Sequence, residues 1–112
     1  MQVSIKTVDQ VLVIEIDGDM DLIVAEKLKD QVAKLMGQHQ CKHLIFNLKK
    51  VAFIDSSGLG LILGRYKYVT EKGGQVLIVE PQPQVKRILE MSGLEKIMGI
   101  YENETEAFAE MA

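Results

Sequence analysis

A single cysteine, Cys41, leaves no internal disulfide to form and fits a reducing compartment. Aromatic residues make up only 5% of the chain, too few to build the stacking platforms on which single-stranded bases are held. Positive charge is not in excess either: 13 Lys and Arg stand against 16 Asp and Glu, a net charge of −3, and the basic residues are scattered along the chain. Nucleic-acid binding, which leaves a basic footprint, is therefore not supported. No apolar run reaches the ~20 residues of a membrane span, and Met1-Gln2-Val3-Ser4 does not open a basic, then apolar, signal segment. The expectation is a cytoplasmic protein with no membrane or nucleic-acid partner. What is present is a chain of 112 residues, 47% hydrophobic, which suits one domain over residues 1–112 with its own core.

Val3 to Thr7 alternates apolar and polar residues, and Val11 to Ile16 follows after Asp9-Gln10, which predicts an antiparallel hairpin. Gly18-Asp19-Met20-Asp21 turns the chain, with Asp21 as the N-cap of a helix carrying Val24, Ala25, Leu28, Val32, Leu35 and Met36 on one face and Gly37 as its stop. Leu44 to Leu48 is apolar on both faces except at Asn47, the mark of a strand inside a sheet. A helix from about Ser57 to Lys72 ends at Gly73-Gly74. Val76 to Val79 is another buried strand, and Pro81-Gln82-Pro83 leads into a helix with Val85, Ile88 and Leu89 inward, Gly93 at its close and Leu94 beyond. Met98 to Tyr101 reads as a short edge strand. Asn103 and Glu106 form a capping-box pair for a last helix with Ala107, Phe108 and Met111 inward. The order ββαβαβαβα implies an α/β fold with a mainly parallel sheet and right-handed crossovers.

The chemistry-bearing stretch runs from Phe53 to Lys67, where a strand passes straight into a helix through Asp55, Ser56 and Ser57. The first N–H groups of such a helix lack intrahelical partners and the dipole there is positive, so oxygen-rich or anionic groups are favoured. Leu59, Ile62, Leu63, Tyr66 and Val69 form one apolar face. Gly58, Gly60 and Gly64 interrupt this helix, each interior glycine costing roughly 0.8–1 kcal/mol relative to alanine. Gly60 and Gly64 make a flat strip open to two uses: close packing on the protein's own sheet or helix, or a surface for a partner. The serines are likewise open to two readings. They cap the helix, or one accepts a phosphoryl group, which would add about −1.5 to −2 charge at a helix start that tolerates it.

Three catalytic or ligand-binding patterns compete for these residues. Gly58, Gly60 and Gly64, with Glu80 at the end of the next strand, imitate a dinucleotide-binding fingerprint, but Asp55 would place a negative charge against the pyrophosphate. A serine nucleophile elbow needs glycine where Asp55 stands. His39, Cys41 and His43 alternate and could share a face toward zinc, although three ligands without a second motif are a weak site and a polar loop explains them as well. There is no Gly-Lys-Ser/Thr phosphate loop.

Asp55-Ser56-Ser57-Gly58-Leu59-Gly60 followed by Leu63-Gly64-Arg65-Tyr66-Lys67 resembles the signature of the STAS domain family, and within it the sporulation-type anti-sigma factor antagonists. The likeness extends to Gly18-Asp19-Met20-Asp21, Asn47-Leu48, Val85-Lys86-Arg87 and Met91-Ser92-Gly93-Leu94. The resemblance implies the STAS fold, a mixed, mainly parallel sheet with βα superhelical repeats and an antiparallel N-terminal strand. It also implies a partner switch rather than an enzyme, with no cofactor and no metal. Ser57 would be the phosphoacceptor, with Asp21, Asp55, Ser56, Gly58, Gly60, Leu61 and Gly64 forming its surroundings and the partner surface. The unphosphorylated domain, a monomer when free, would bind an anti-sigma factor and release a sporulation sigma factor. The anti-sigma factor, a serine kinase, would inactivate it, and a serine phosphatase would restore it. Within the same fold, an adaptor subunit of a lipid-transport ABC complex is the alternative.

Overall fold

The computed structural model describes residues 2–111. Strand β1 (Gln2–Val8) and strand β2 (Val11–Asp17) form the expected hairpin. Asp9 takes the left-handed φ of 53° that lets a two-residue turn follow the twist of the strands. Helix α1 (Leu22–Gln38), strand β3 (His43–Lys50), helix α2 (Ser56–Glu71), strand β4 (Val76–Val79) and helix α3 (Pro83–Ser92) follow. A 3₁₀ turn (Leu94–Lys96), strand β5 (Ile100–Tyr101) and helix α4 (Glu104–Met111) complete the order. The sheet runs β1-β2-β3-β4-β5, with β1 antiparallel and the other pairings parallel.

Alternation along the strands divides the interior in two. Leu12, Ile14 and Ile16 of β2, Leu44, Phe46 and Leu48 of β3, and Val76 and Ile78 of β4 face one way, against Val24, Leu28 and Val32 of α1, Ile62 and Val69 of α2, and Val85 and Leu89 of α3. Val11, Val13, Ile45, Leu77 and Val79 face the other way and are covered by α4 through Ala107, Phe108 and Met111. Both faces of β3 and β4 are thus dry, which is why their sequences are apolar without alternation.

The one buried polar side chain among the described residues, Asn47, is fully satisfied. Its Nδ2 donates to Glu80 Oε2 at 3.1 Å and to Glu104 Oε2 at 2.8 Å, while its Oδ1 accepts the Lys49 N–H at 3.0 Å. Glu80 sits at φ 55° just past β4, and Glu104 opens α4 and pairs with Lys6 of β1 at 2.6 Å. One amide therefore ties the ends of β3 and β4 to the start of α4. Burial pushes the Glu104 carboxyl up, but the Lys6 ammonium and the Asn47 amide outweigh it and hold the group below its ordinary value.

Two helix details differ from the sequence reading. Gly37 does not stop α1, which runs on through Gln38. The closing left-handed residue is Gln40, at φ 54°, with Cys41 N–H donating to Met36 C=O at 2.9 Å and Gln40 N–H to Gly37 C=O at 3.3 Å. That is a Schellman end three residues later than the glycine suggests, and it keeps Met36 buried. Helix α2 closes in the same way at Gly73, φ 83°, where glycine carries no Cβ penalty. The second difference is the inward face of α2. Gly58, Leu61, Ile62 and Val69 are its buried residues, whereas Leu59, Leu63 and Tyr66 are only half-buried. The helix packs on α1 as well as on the sheet, and this second contact turns Leu61 inward.

Candidate functional site

The site is built where two helices begin side by side. An isolated parallel bridge pairs Met20 with Ile54, and Met20 N–H donates to Phe53 C=O at 2.9 Å while Asp55 N–H donates to Met20 C=O at 3.2 Å. The next residue after Met20 and the next after Ile54 are both aspartates, each with φ −102° and ψ −174°, and each caps its helix. Asp21 Oδ1 accepts the Val24 N–H at 3.0 Å. Asp55 Oδ1 accepts the N–H groups of Ser57 at 2.8 Å and Gly58 at 3.0 Å. Two positive helix ends, each carrying an acidic cap, therefore stand next to one another.

This geometry separates the roles of the two serines from capping. Asp55 is the N-cap, Ser56 and Ser57 are the first two residues of α2, and no hydrogen bond from either hydroxyl is found among the described residues. Ser56 is exposed. Ser57 is half-buried and lines an open cleft of about 360 Å³ between α1 and α2, together with Leu22, Ala25, Lys29, Gly60 and Gly64.

The glycines have different jobs. A Cβ on Gly58 would stand 2.5 Å from the Met20 carbonyl oxygen and 2.7 Å from Ile54 Cγ1, so the close approach of the two helix starts depends on its bareness. A Cβ on Gly60 or Gly64 would meet nothing within 4 Å. The Gly60–Gly64 strip is therefore not used for packing within this chain; it forms one wall of the cleft. Gly58→Ala is expected to lower stability by about 1–3 kcal/mol through overpacking, whereas Gly64→Ala, in open space on a helix, is expected to raise it by up to about 1 kcal/mol. Thermal denaturation of the two variants checks this, and a Gly58→Ala protein that melts no lower than the parent would refute the packing role. Leu61, grouped with the surface residues on sequence, is only 5% exposed. It belongs to the core and reaches the surface only as the floor of the cleft.

Around the cleft the surface is unusually apolar. Leu22 is 56% exposed, Ile23 65% and Phe53 50%, all within two residues of an aspartate cap.

The competing patterns do not assemble. The α2 N–H groups that a pyrophosphate would need are already held by Asp55. His43 lies at the start of β3, the opposite end of that strand from Ser57, and its Nδ1 accepts the Gln75 N–H at 3.0 Å. Burial and the neighbouring Lys42 hold this imidazole below its ordinary pKa, as suits an acceptor. Cys41 Sγ is directed to the His39 carbonyl, burial raises its pKa, and no cluster of three metal-ligating side chains occurs among the described residues. No helix among the described residues is long and apolar enough to cross a membrane.

Sequence reasoning singled out Asp21, Asp55, Ser57, Gly60 and Gly64; the first three stand at the neighbouring starts of α1 and α2, and the two glycines follow along α2 as the cleft wall. It missed Lys29 and Arg65 of the cleft wall. Both lie eight residues beyond an aspartate or serine at a helix start, a two-turn spacing that could have flagged them.

Residues 2–107 match the STAS domain. An anti-sigma F factor antagonist of Paenibacillus polymyxa is 40% identical over 111 residues, which is 99% of this chain and 95% of that protein. The anti-sigma factor antagonist SpoIIAA, solved in its unphosphorylated form, superposes with a TM-score of 0.84 at 27% identity, over 98% of this chain and 96% of that one. The Bacillus cell fate determinant SpoIIAA in its phosphorylated form superposes at 0.77 with 25% identity, over 99% and 100%. Matched along nearly its whole length in sequence and in fold, the chain belongs to the STAS domain family, among its anti-sigma factor antagonists.

Proposed function

We propose that this protein is the reversible antagonist in a partner switch that controls a sporulation sigma factor. Unphosphorylated, it binds an anti-sigma factor and so frees the sigma factor that the anti-sigma factor holds. The anti-sigma factor is also its kinase: it transfers the γ-phosphoryl group of ATP to Ser57 Oγ, with loss of the hydroxyl proton and release of ADP. A serine phosphatase hydrolyses the phosphoester and restores the binding form. The protein catalyses nothing in this cycle; its task is to present one hydroxyl and one surface.

The observation that carries the reading is the state of Ser57. Its hydroxyl is released from capping by Asp55 and lies half-exposed on the lip of a cleft. A phosphoryl group there would stand beside the positive ends of two neighbouring helices, whose dipoles, though each already meets an aspartate cap, offset part of the added charge. Asp21 and Asp55 position this environment, Gly58 lets the two helix starts touch, and Gly60, Gly64 and the edge of Leu61 offer the docking wall beside it. That SpoIIAA exists in both unphosphorylated and phosphorylated forms supports the same cycle here.

The test is intact mass after incubation with ATP and the cognate anti-sigma factor, followed by peptide mapping. One phosphoryl group per chain, on Ser57 and lost in Ser57→Ala, is expected. Phosphate mapped to Ser56, or persisting in Ser57→Ala, would overturn the assignment.

A further inference from the structure

The cleft that begins at Ser57 ends two turns later at two cations. Arg65 lies eight residues after Ser57 on α2, and Lys29 eight after Asp21 on α1, each about 12 Å from its helix start. Arg65 is half-buried, and its Nε is a buried polar atom with no hydrogen-bond partner. The guanidinium rests 5.2 Å from the centroid of the Tyr68 ring, so an aromatic face and not an acid holds it in place. Glu26 shares the cleft, yet none of the ion pairs among the described residues involves Glu26, Lys29 or Arg65.

Burial closes Nε itself to an incoming group, but the guanidinium charge has no acid paired with it among the described residues, so its open end is free for a carboxylate. The two terminal Nη groups are not sealed off in this way, and the end of the fork that they form is also a geometry that a carboxylate takes up bidentately. The wall leading to it is the open Gly60–Gly64 strip, and the far rim is the exposed Leu22. We infer that the cleft receives an apolar segment of the anti-sigma factor that carries an acidic side chain, and that this carboxylate pairs with Arg65, with Lys29 beside it. The inference rests on the antagonist reading above and deepens it by naming the second anchor of the interface. Ser57 and Arg65 then divide the work: the serine end senses phosphorylation, while the arginine end supplies charge-specific affinity that the phosphoryl group does not touch directly.

The experiment is calorimetric titration of purified cognate anti-sigma F factor with the full chain and with Arg65→Gln, Arg65→Lys and Gly64→Leu, at two salt concentrations. Thermal melts of each variant report folding independently. Arg65→Gln is expected to bind roughly ten- to a hundred-fold more weakly and to lose part of the parent's salt dependence. Arg65→Lys is expected to recover only part of the affinity, because a point charge cannot reproduce the fork. Gly64→Leu, folded but with the cleft filled, is expected to weaken binding as well. Parent-like affinity and salt dependence in folded Arg65→Gln would overturn the inference while leaving the antagonist reading intact. Failure of the parent chain itself to bind would overturn the reading on which it rests.

Discussion

Asn47→Asp is expected to cost roughly 3–5 kcal/mol at neutral pH, the order of the penalty for leaving a buried charge uncompensated. The parent amide gives one hydrogen to Glu80 at 3.1 Å and one to Glu104 at 2.8 Å. The substitution replaces those donors with a third carboxylate oxygen in a position that is 0% exposed. Repulsion and burial both raise the new group's folded pKa above its unfolded value of about 3.9. Its penalty is therefore full at neutral pH and shrinks as pH falls through that raised folded pKa toward about 4, where the neutral carboxyl can again donate. The parent behaves in the opposite sense at this site. Glu104 is held below its ordinary value, so the stability it contributes is present above the unfolded carboxylate pKa and is lost as pH falls through the depressed folded one. Urea denaturation of both proteins from neutral pH down through the carboxylate range checks the opposite trends. An Asn47→Asp protein as stable as the parent at neutral pH would mean that Glu80 and Glu104 do not depend on the amide.

The second large effect concerns the off state of the switch. Ser57→Asp is expected to bind the anti-sigma factor at least tenfold more weakly than Ser57→Ala, with a melting temperature little changed. Two like charges about 5 Å apart at an effective dielectric of about 20 repel by roughly 3 kcal/mol. Salt reduces this, but about 1.4 kcal/mol is already a factor of ten. The like charge that counts for binding is one the partner brings to this distance, and Asp55, anchored on the Ser57 and Gly58 N–H groups, adds to the same negative field that such a group meets. The fold should tolerate the same charge because Ser57 is a partly exposed first-turn residue, where solvent screens the charge and the helix dipole favours an anion. Equal binding by the two variants in a low-salt titration, or loss of near-UV dichroism on phosphorylation, would sink this account.

The fold was largely legible because its strands and helices announce themselves by different periods. The strand Val76–Val79 lies where its apolar run predicts, and Pro83 opens α3 as its first residue. Asn47 stood out as the polar exception in an apolar strand, although nothing local could name Glu80 and Glu104 as its partners, 33 and 57 residues further on. The end of α1 was misplaced because Gly37 has the residue type of a stop but not the backbone of one; Gln40 bears the positive φ instead. At the site, Asp55, Ser57 and Gly58 could be placed from sequence because helix starts have local chemistry. The fate of Leu61, and the difference between a glycine that packs and one that does not, depend on where α1 lies against α2. Only the tertiary contact supplies that.

The order of the strands across the sheet is the order in which they occur in the chain. Each new strand is laid beside the last, so no loop must close around a missing strand, and each parallel pairing waits only for the single helical crossover that joins its two strands, as between Val11 and His43 or Leu44 and Val76. During synthesis from the N-terminus, this arrangement allows the sheet to grow outward as the chain emerges. The lining of the cleft between α1 and α2 ends at Arg65, and the Tyr68 ring that holds Arg65 follows within α2, so every residue of the regulated surface precedes α3 and α4 in the chain. The Lys6–Glu104 pair and the packing of α4 over the sheet join the first strand to the final helix and so require the whole span between them.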